Sequence, residues 1–179
     1  LEAGDPENAF DDVGLALRSA GEQPGLLLLR ARIDENLGDS EHALADANRA
    51  VALGSQEPEA FLLIARAAEK QGSWDVVAQQ CDRVLKSDAA NPEALRLQGH
   101  AQVARGDTSG ALQTYGQAIK NKPNDWRLLT ERASLFHELK RYDDSAADCT
   151  AAIALNPKAI YAYSLRGYCL LQKGRPDEA

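Results

Sequence analysis

A period of 34 residues constrains this chain more than any other feature. Gly4, Gly38, Gly72, Gly106 and Gly174 fall in one phase, with Lys140 the single departure. A repeat of roughly 20–50 residues marks chains in which each unit is too small to bury its own apolar face and must stack on the next. The other places keep the same register. Seven residues before the glycine stand Ala31, Ala65, Gly99, Ala133 and Gly167, all small, as a close approach of two helices requires. Eleven before it stand Leu27, Phe61, Leu95, Leu129 and Tyr163. Five after it come Ala9, Ala43, Val77, Ala111, Ser145 and Ala179, and twelve after it Ala16, Ala50, Val84, Ala118 and Ala152.

Each unit divides into two helices by ordinary start and stop signals. The in-phase glycine ends the first helix, because only glycine takes a left-handed cap at no steric cost. Pro24, Pro58 and Pro92 open first helices, where a missing N–H costs nothing, and Asn91 and Asp125 stand at N-cap places. Asp5, Asp39, Ser73 and Asp107 precede second helices, and Glu7, Glu41, Asp75 and Asp143 stand in first turns of second helices, favourable at the positive end of the helix dipole. The signals predict first helices over Pro24–Leu37, Pro58–Gln71, Pro92–Arg105, Trp126–Leu139 and Ile160–Lys173. Second helices are predicted over Glu7–Ser19, Glu41–Leu53, Asp75–Ser87, Ser109–Asn121 and Asp143–Leu155.

The stretch NPEALRLQGHAQVARGDTSGALQTYGQAIKNKPN, with Gly99, Ala111, Tyr115, Ala118 and Pro123, resembles a tetratricopeptide repeat from end to end. The resemblance covers nearly the whole chain: 1–23 as the second helix of a partial repeat, 24–57, 58–91, 92–125 and 126–159 as full repeats, and 160–179 as a further partial one. It implies an all-α, right-handed solenoid of antiparallel helix pairs, with first helices lining a concave groove and second helices on the convex back. Asp34 and Gln102 stand where the family usually has a bulky side chain, and Arg30, Arg132 and Arg166 replace a common leucine, so looser packing is expected around Asp34. Both the partial repeats and the absence of methionine read as those of a fragment of a longer protein.

Composition narrows the function. The net charge of −7 repels nucleic-acid phosphates and anionic membranes, so neither partner is expected, and no apolar run is long enough to insert in a membrane. Cys81, Cys149 and Cys169 form no CxxC motif; they read as reduced, buried thiols, and a cytoplasmic compartment is favoured. Cys81 and Cys149 share a core place with Val13, Ala47 and Tyr115, which makes them packing residues rather than nucleophiles. His42, His100 and His137 lack metal-ligand spacing, so no metal, no cofactor and no catalytic group is expected.

The groove of such a solenoid holds extended peptides or single helices. Projected onto it, Arg32, Arg66, Arg96, His100 and Arg127 form a basic ladder, followed by Ser134, Tyr161, Tyr168 and Leu171. That surface suits an acidic peptide with an apolar residue beyond the acids. The arginines also have carboxylates at intrahelical pairing distance: Glu35 after Arg32, Glu69 after Arg66, Glu93 before Arg96 and Glu131 after Arg127. The DCTAAIALNPKAI stretch around Cys149 is similar to repeats of chaperone-binding co-chaperones, but their carboxylate clamp is not matched. The triple of repeats from Pro24 places Leu28, Arg32, Leu63, Glu93 and Leu97 where the clamp needs lysine, asparagine, asparagine, lysine and arginine. The expected function is thus a non-catalytic protein-binding scaffold or adaptor. The alternative is a docking arm of a larger enzyme, for example a glycosyltransferase, or of a J-domain co-chaperone.

Overall fold

The computed structural model describes residues 6–174, and side chains from Ala9 onward. Gly4, Asp5 and Ala179, which hold places in the register above, lie outside the described residues, as does the Glu7 side chain. Ten α-helices make up the described residues, without strands: α1 (Pro6–Ala20), α2 (Pro24–Leu37), α3 (Ser40–Ala52), α4 (Pro58–Lys70), α5 (Trp74–Ser87), α6 (Pro92–Ala104), α7 (Thr108–Asn121), α8 (Trp126–Glu138), α9 (Tyr142–Leu155) and α10 (Ile160–Gln172). Every helix predicted from the register is present, with ends within one residue of those expected. The architecture is all-α, built of stacked antiparallel pairs.

The helix ends follow from local chemistry. Asp39, Asn91, Asp107 and Asp125 each accept a backbone N–H of the helix they precede, from His42, Ala94, Gly110 and Arg127 respectively. Ser73 holds the N-cap place of α5 without a side-chain bond. Gly38, Gly72, Gly106 and Gly174 adopt φ of 85°, 68°, 79° and 69°, and Lys140, the one departure from glycine, adopts the same left-handed conformation at φ 57°. The geometry of the repeat therefore dictates this place even where the residue type resists it.

Two compact units divide the chain, Leu1–Ala89 with α1 to α5 and Ala90–Ala179 with α6 to α10. In the first, α2 pairs with α3 and α4 with α5, while α1 packs on α2 and α3 on α4. In the second, α6 pairs with α7 and α8 with α9, α7 packs on α8, and α10 packs on both α8 and α9. The small residues seven before the cap do what the register predicts. Ala31 and Ala47 lie in one buried cluster with Leu27 and Leu63, and Ala133 lies in another with Cys149 and Leu165. Where the facing side chain is large, the small residue is smallest: a Cβ on Gly99 would stand 2.4 Å from the Tyr115 ring.

Asp34 corrects one expectation. It is 4% exposed, so the turn has not loosened around it. The misfit is electrostatic instead: Oδ2 has no hydrogen-bond partner, and burial, helped by the negative charges of Asp46 and Asp39, pushes the carboxyl above its ordinary 3.8.

Candidate functional site

The ladder arginines do not stand as a bare basic surface. Arg66 on α4 reaches back to Glu35 on α2 with two parallel bonds, Nε donating to Oε1 at 2.7 Å and Nη2 to Oε2 at 2.6 Å. Arg32 on α2 reaches forward to Glu59 on α4 at 3.3 Å. In the second unit, Glu131 on α8 receives both Arg96, at 3.8 Å, and His100, whose Nε2 lies 3.2 Å from Oε2. That last approach lacks hydrogen-bond geometry, since Oε2 accepts no hydrogen bond, and it is an ion pair only when His100 carries a proton on both ring nitrogens. The pairs thus cross from one first helix to the next, which the intrahelical spacings in the sequence did not reveal. Glu131 is the residue that sequence reasoning misplaced. Counted along the helix it belongs to Arg127; in space it faces Arg96 and His100, while the Arg127 guanidinium lies over the Trp126 ring at 4.8 Å.

The other candidates gather on neighbouring helices α8 and α10. The Ser134 and Tyr161 hydroxyls are 3.2 Å apart, and Ser134 Oγ also donates to the Thr130 carbonyl at 3.0 Å. The Tyr168 and His137 rings form a T-shaped pair, with centroids 4.9 Å apart. Tyr161 and Tyr168 remain 58% and 48% exposed, and Leu171 beside them 58%. Tyr161 is held at its hydroxyl and Tyr168 by its T-shaped contact with His137, and both stay about half exposed, with little rotamer entropy left to lose on a further contact.

The core thiols behave differently. Cys81, Cys149 and Cys169 are free and wholly buried. Burial, with Cys169 and Asp148 nearby, pushes the Cys149 thiol up to about 12, so no thiolate forms near neutrality. Ser145 is buried with them, donating to the Ala133 carbonyl at 2.8 Å and accepting from Cys169 Sγ at 3.3 Å. Among the described residues no group of three or more His, Cys, Asp or Glu side chains is placed to hold a metal ion, and no helix is long and apolar enough to cross a membrane.

A family model of the tetratricopeptide repeat matches residues 28–92 and 96–160. Small glutamine-rich tetratricopeptide repeat-containing protein 2 of Mycosarcoma maydis is 34% identical over 73 residues, which are 41% of this chain and 21% of that protein. The protein of the same name from Saccharomyces cerevisiae is 33% identical over 77 residues, 43% of this chain and 22% of that protein. The chain therefore spans about a fifth of the length of these curated relatives. Among solved structures, YrrB, described as a TPR protein with an unusual peptide-binding site, superposes with a TM-score of 0.75 over 93% of this chain and 86% of its own, at 16% identity.

Proposed function

The chain belongs to the tetratricopeptide repeat family, and from that premise we propose that it is a non-catalytic scaffold holding a peptide or a single helix against the first-helix face of α8 and α10. One observation carries the reading: Tyr161 and Tyr168, each steadied by a side chain of α8, stay about half exposed beside Leu171. Aromatic anchors next to an apolar residue are the groups that dominate binding energy at protein interfaces. The peptide-binding site of YrrB, on a similar fold, supports the class of partner. Of the basic residues, Arg127 is exposed and stacked on Trp126, placed to meet an acidic group of the ligand. Arg32, Arg66, Arg96 and His100 act chiefly by bracing neighbouring first helices through Glu59, Glu35 and Glu131.

Selection from a random peptide library on the purified chain, followed by fluorescence anisotropy with a selected peptide, tests this. Tyr161→Ala and Tyr168→Ala are each expected to weaken capture about tenfold, at unchanged melting temperature, with micromolar affinity in the parent. Undiminished capture by the double variant removes this face from the site.

A further inference from the structure

One arginine place of the second helix is filled twice and paired once. Arg49 on α3 meets Glu22, which lies in the turn between α1 and α2: Nε donates to Oε2 at 2.7 Å, and Nη2 lies 2.5 Å from the same oxygen. One repeat later, Arg83 stands on α5 where Arg49 stands on α3, but Gln56 replaces Glu22 in the preceding turn. The arginine is kept and its carboxylate is gone. Nor does the fold require an arginine there, since the next two repeats have Gln117 and Ala151 at the same place. Among the described residues neither Arg83 nor Lys86, three residues further along α5, makes an ion pair.

An open hollow of about 490 Å³ lies at this place, lined by Gln56, Phe61, Arg83, Lys86 and Ser87. The Arg83 guanidinium lies over the Phe61 ring, 5.2 Å from its centroid, yet the residue stays exposed, as do Lys86 and Gln56. Phe61 is 3% exposed and serves as a floor that holds the guanidinium in place. The Ser87 hydroxyl is spent on the Val84 carbonyl at 2.9 Å. Two cations and the Gln56 amide are left to meet a ligand, with no carboxylate in the lining. We propose that this hollow seats an acidic segment of a partner protein, one carboxylate taking at Arg83 the position that Glu22 takes at Arg49. Arg83 and Lys86 are neighbours on one helix face, about 5–6 Å apart at Cβ. Acids at alternate positions of an extended segment point to one side about 7 Å apart, so a Glu-x-Glu sequence reaches both. The net charge of −7 opposes such a ligand at long range, and the pairing acts at contact distance on an open surface, so a short peptide binds at about millimolar concentration. All five lining residues belong to the first compact unit and none is shared with the tyrosine face of α10.

Titration of the nitrogen-15-labelled chain with a capped Gly-Glu-Gly-Glu-Gly peptide, followed at the Arg83 Nε–H and Gln56 side-chain amide signals, tests it. Both signals are expected to shift saturably, and the Gly-Gln-Gly-Gln-Gly peptide should leave them in place. Lys86→Gln, at an exposed residue without an ion pair, should weaken binding about threefold. Gln56→Glu restores the carboxylate that the first repeat holds in this turn. It should shift the Arg83 signal without any peptide and weaken peptide binding about tenfold, at an unchanged or raised melting temperature. Tyr161→Ala and Tyr168→Ala should leave the titration as in the parent; loss of peptide binding in either would assign the peptide to the other face and overturn the proposal. So would signals that stay in place up to about 20 mM peptide, or a Gln56→Glu variant that binds as the parent does. A phosphoserine peptide that binds where the glutamate peptide does not would overturn the assignment to carboxylates.

Discussion

Removing the carboxylate of Asp148 isolates what the cross-helix arginine pairs contribute. Arg132 gives it two bonds, from Nε at 2.7 Å and Nη2 at 2.8 Å, and the two side chains are 24% and 10% exposed. A charge-assisted bond is worth about 1.5–3 kcal/mol net, and orphaning one partner of a fully buried pair costs about 3–5 kcal/mol. Arg132 retains some water and the Phe136 ring, 5.6 Å away, so Asp148→Ala is expected at or just below the lower end of that range, about 2–3 kcal/mol. Melting then falls by about 5–10 °C for a chain of this size, and the urea midpoint falls at unchanged slope. The chain supplies its own control. The second repeat has Ile64 and Gln80 at the same two places, with no charge on either. Arg132→Ile with Asp148→Gln transplants that solution, and should return stability to within about 1 kcal/mol of the parent, because a neutral pair leaves nothing charged behind. Urea unfolding followed by far-ultraviolet circular dichroism decides. A double variant as damaged as Asp148→Ala would show that the pair itself stabilises the fold, and would refute the claim that the loss comes from an orphaned guanidinium. A cost below about 0.5 kcal/mol for Asp148→Ala would class the pair with screened surface bridges.

Lys140→Gly relieves a left-handed backbone at φ 57° and is expected to stabilise by about 1 kcal/mol, read as a raised urea midpoint. Gly99→Ala drives a Cβ to 2.4 Å from Tyr115, itself 2% exposed, and should cost about 1–3 kcal/mol; adding Tyr115→Cys, the combination Ala65 and Cys81 already show, should recover most of it. Asp34→Leu should stabilise in a pH-dependent way. Because the folded carboxyl binds its proton more tightly than the unfolded one, stability falls as pH rises from 3.8 through the raised folded value and stays lowered above it. The advantage of Asp34→Leu is therefore largest at neutral pH, and its charge-dependent part fades as pH falls to 3.8 and below. A stability difference between variant and parent that does not change with pH would contradict the assignment of the cost to ionisation.

Helix positions were legible because they rest on backbone requirements that recur every 34 residues: a left-handed cap, a first-turn proline, a small residue at the crossing. Lys140 shows the strength of that requirement: the sequence marks it only as the departure from the glycine series, yet the structure gives it the conformation glycine takes elsewhere. Asp34 shows its limit. Size at a core place is readable from the register, but whether a misfit appears as a loosened turn or as a shifted proton depends on neighbours such as Asp46, brought near only by folding. The candidate site divides the same way. Exposed Tyr161 and Tyr168 follow from helical projection within one helix. The partners of Arg66, Arg96 and His100 do not, because a long charged side chain chooses among carboxylates three residues away and others about thirty away at similar distances.

That choice bears on how the surface could recognise anything. An acidic ligand reaching Arg66 must displace Glu35 from two bonds of 2.6 and 2.7 Å, and one reaching Arg96 or His100 competes with Glu131 at 3.8 and 3.2 Å. Exchanging one carboxylate for another leaves little net attraction, and it frees a glutamate whose charge then repels the ligand. Salt weakens the internal pairs as well as the external ones, so the salt dependence of capture at these arginines is small. The tyrosines have no such competitor: burying the exposed parts of Tyr161, Tyr168 and Leu171 removes apolar surface from water without breaking an ion pair. If the proposed site binds its ligand here, the affinity should therefore come from an apolar or aromatic anchor, with acidic residues of the ligand setting orientation toward Arg127.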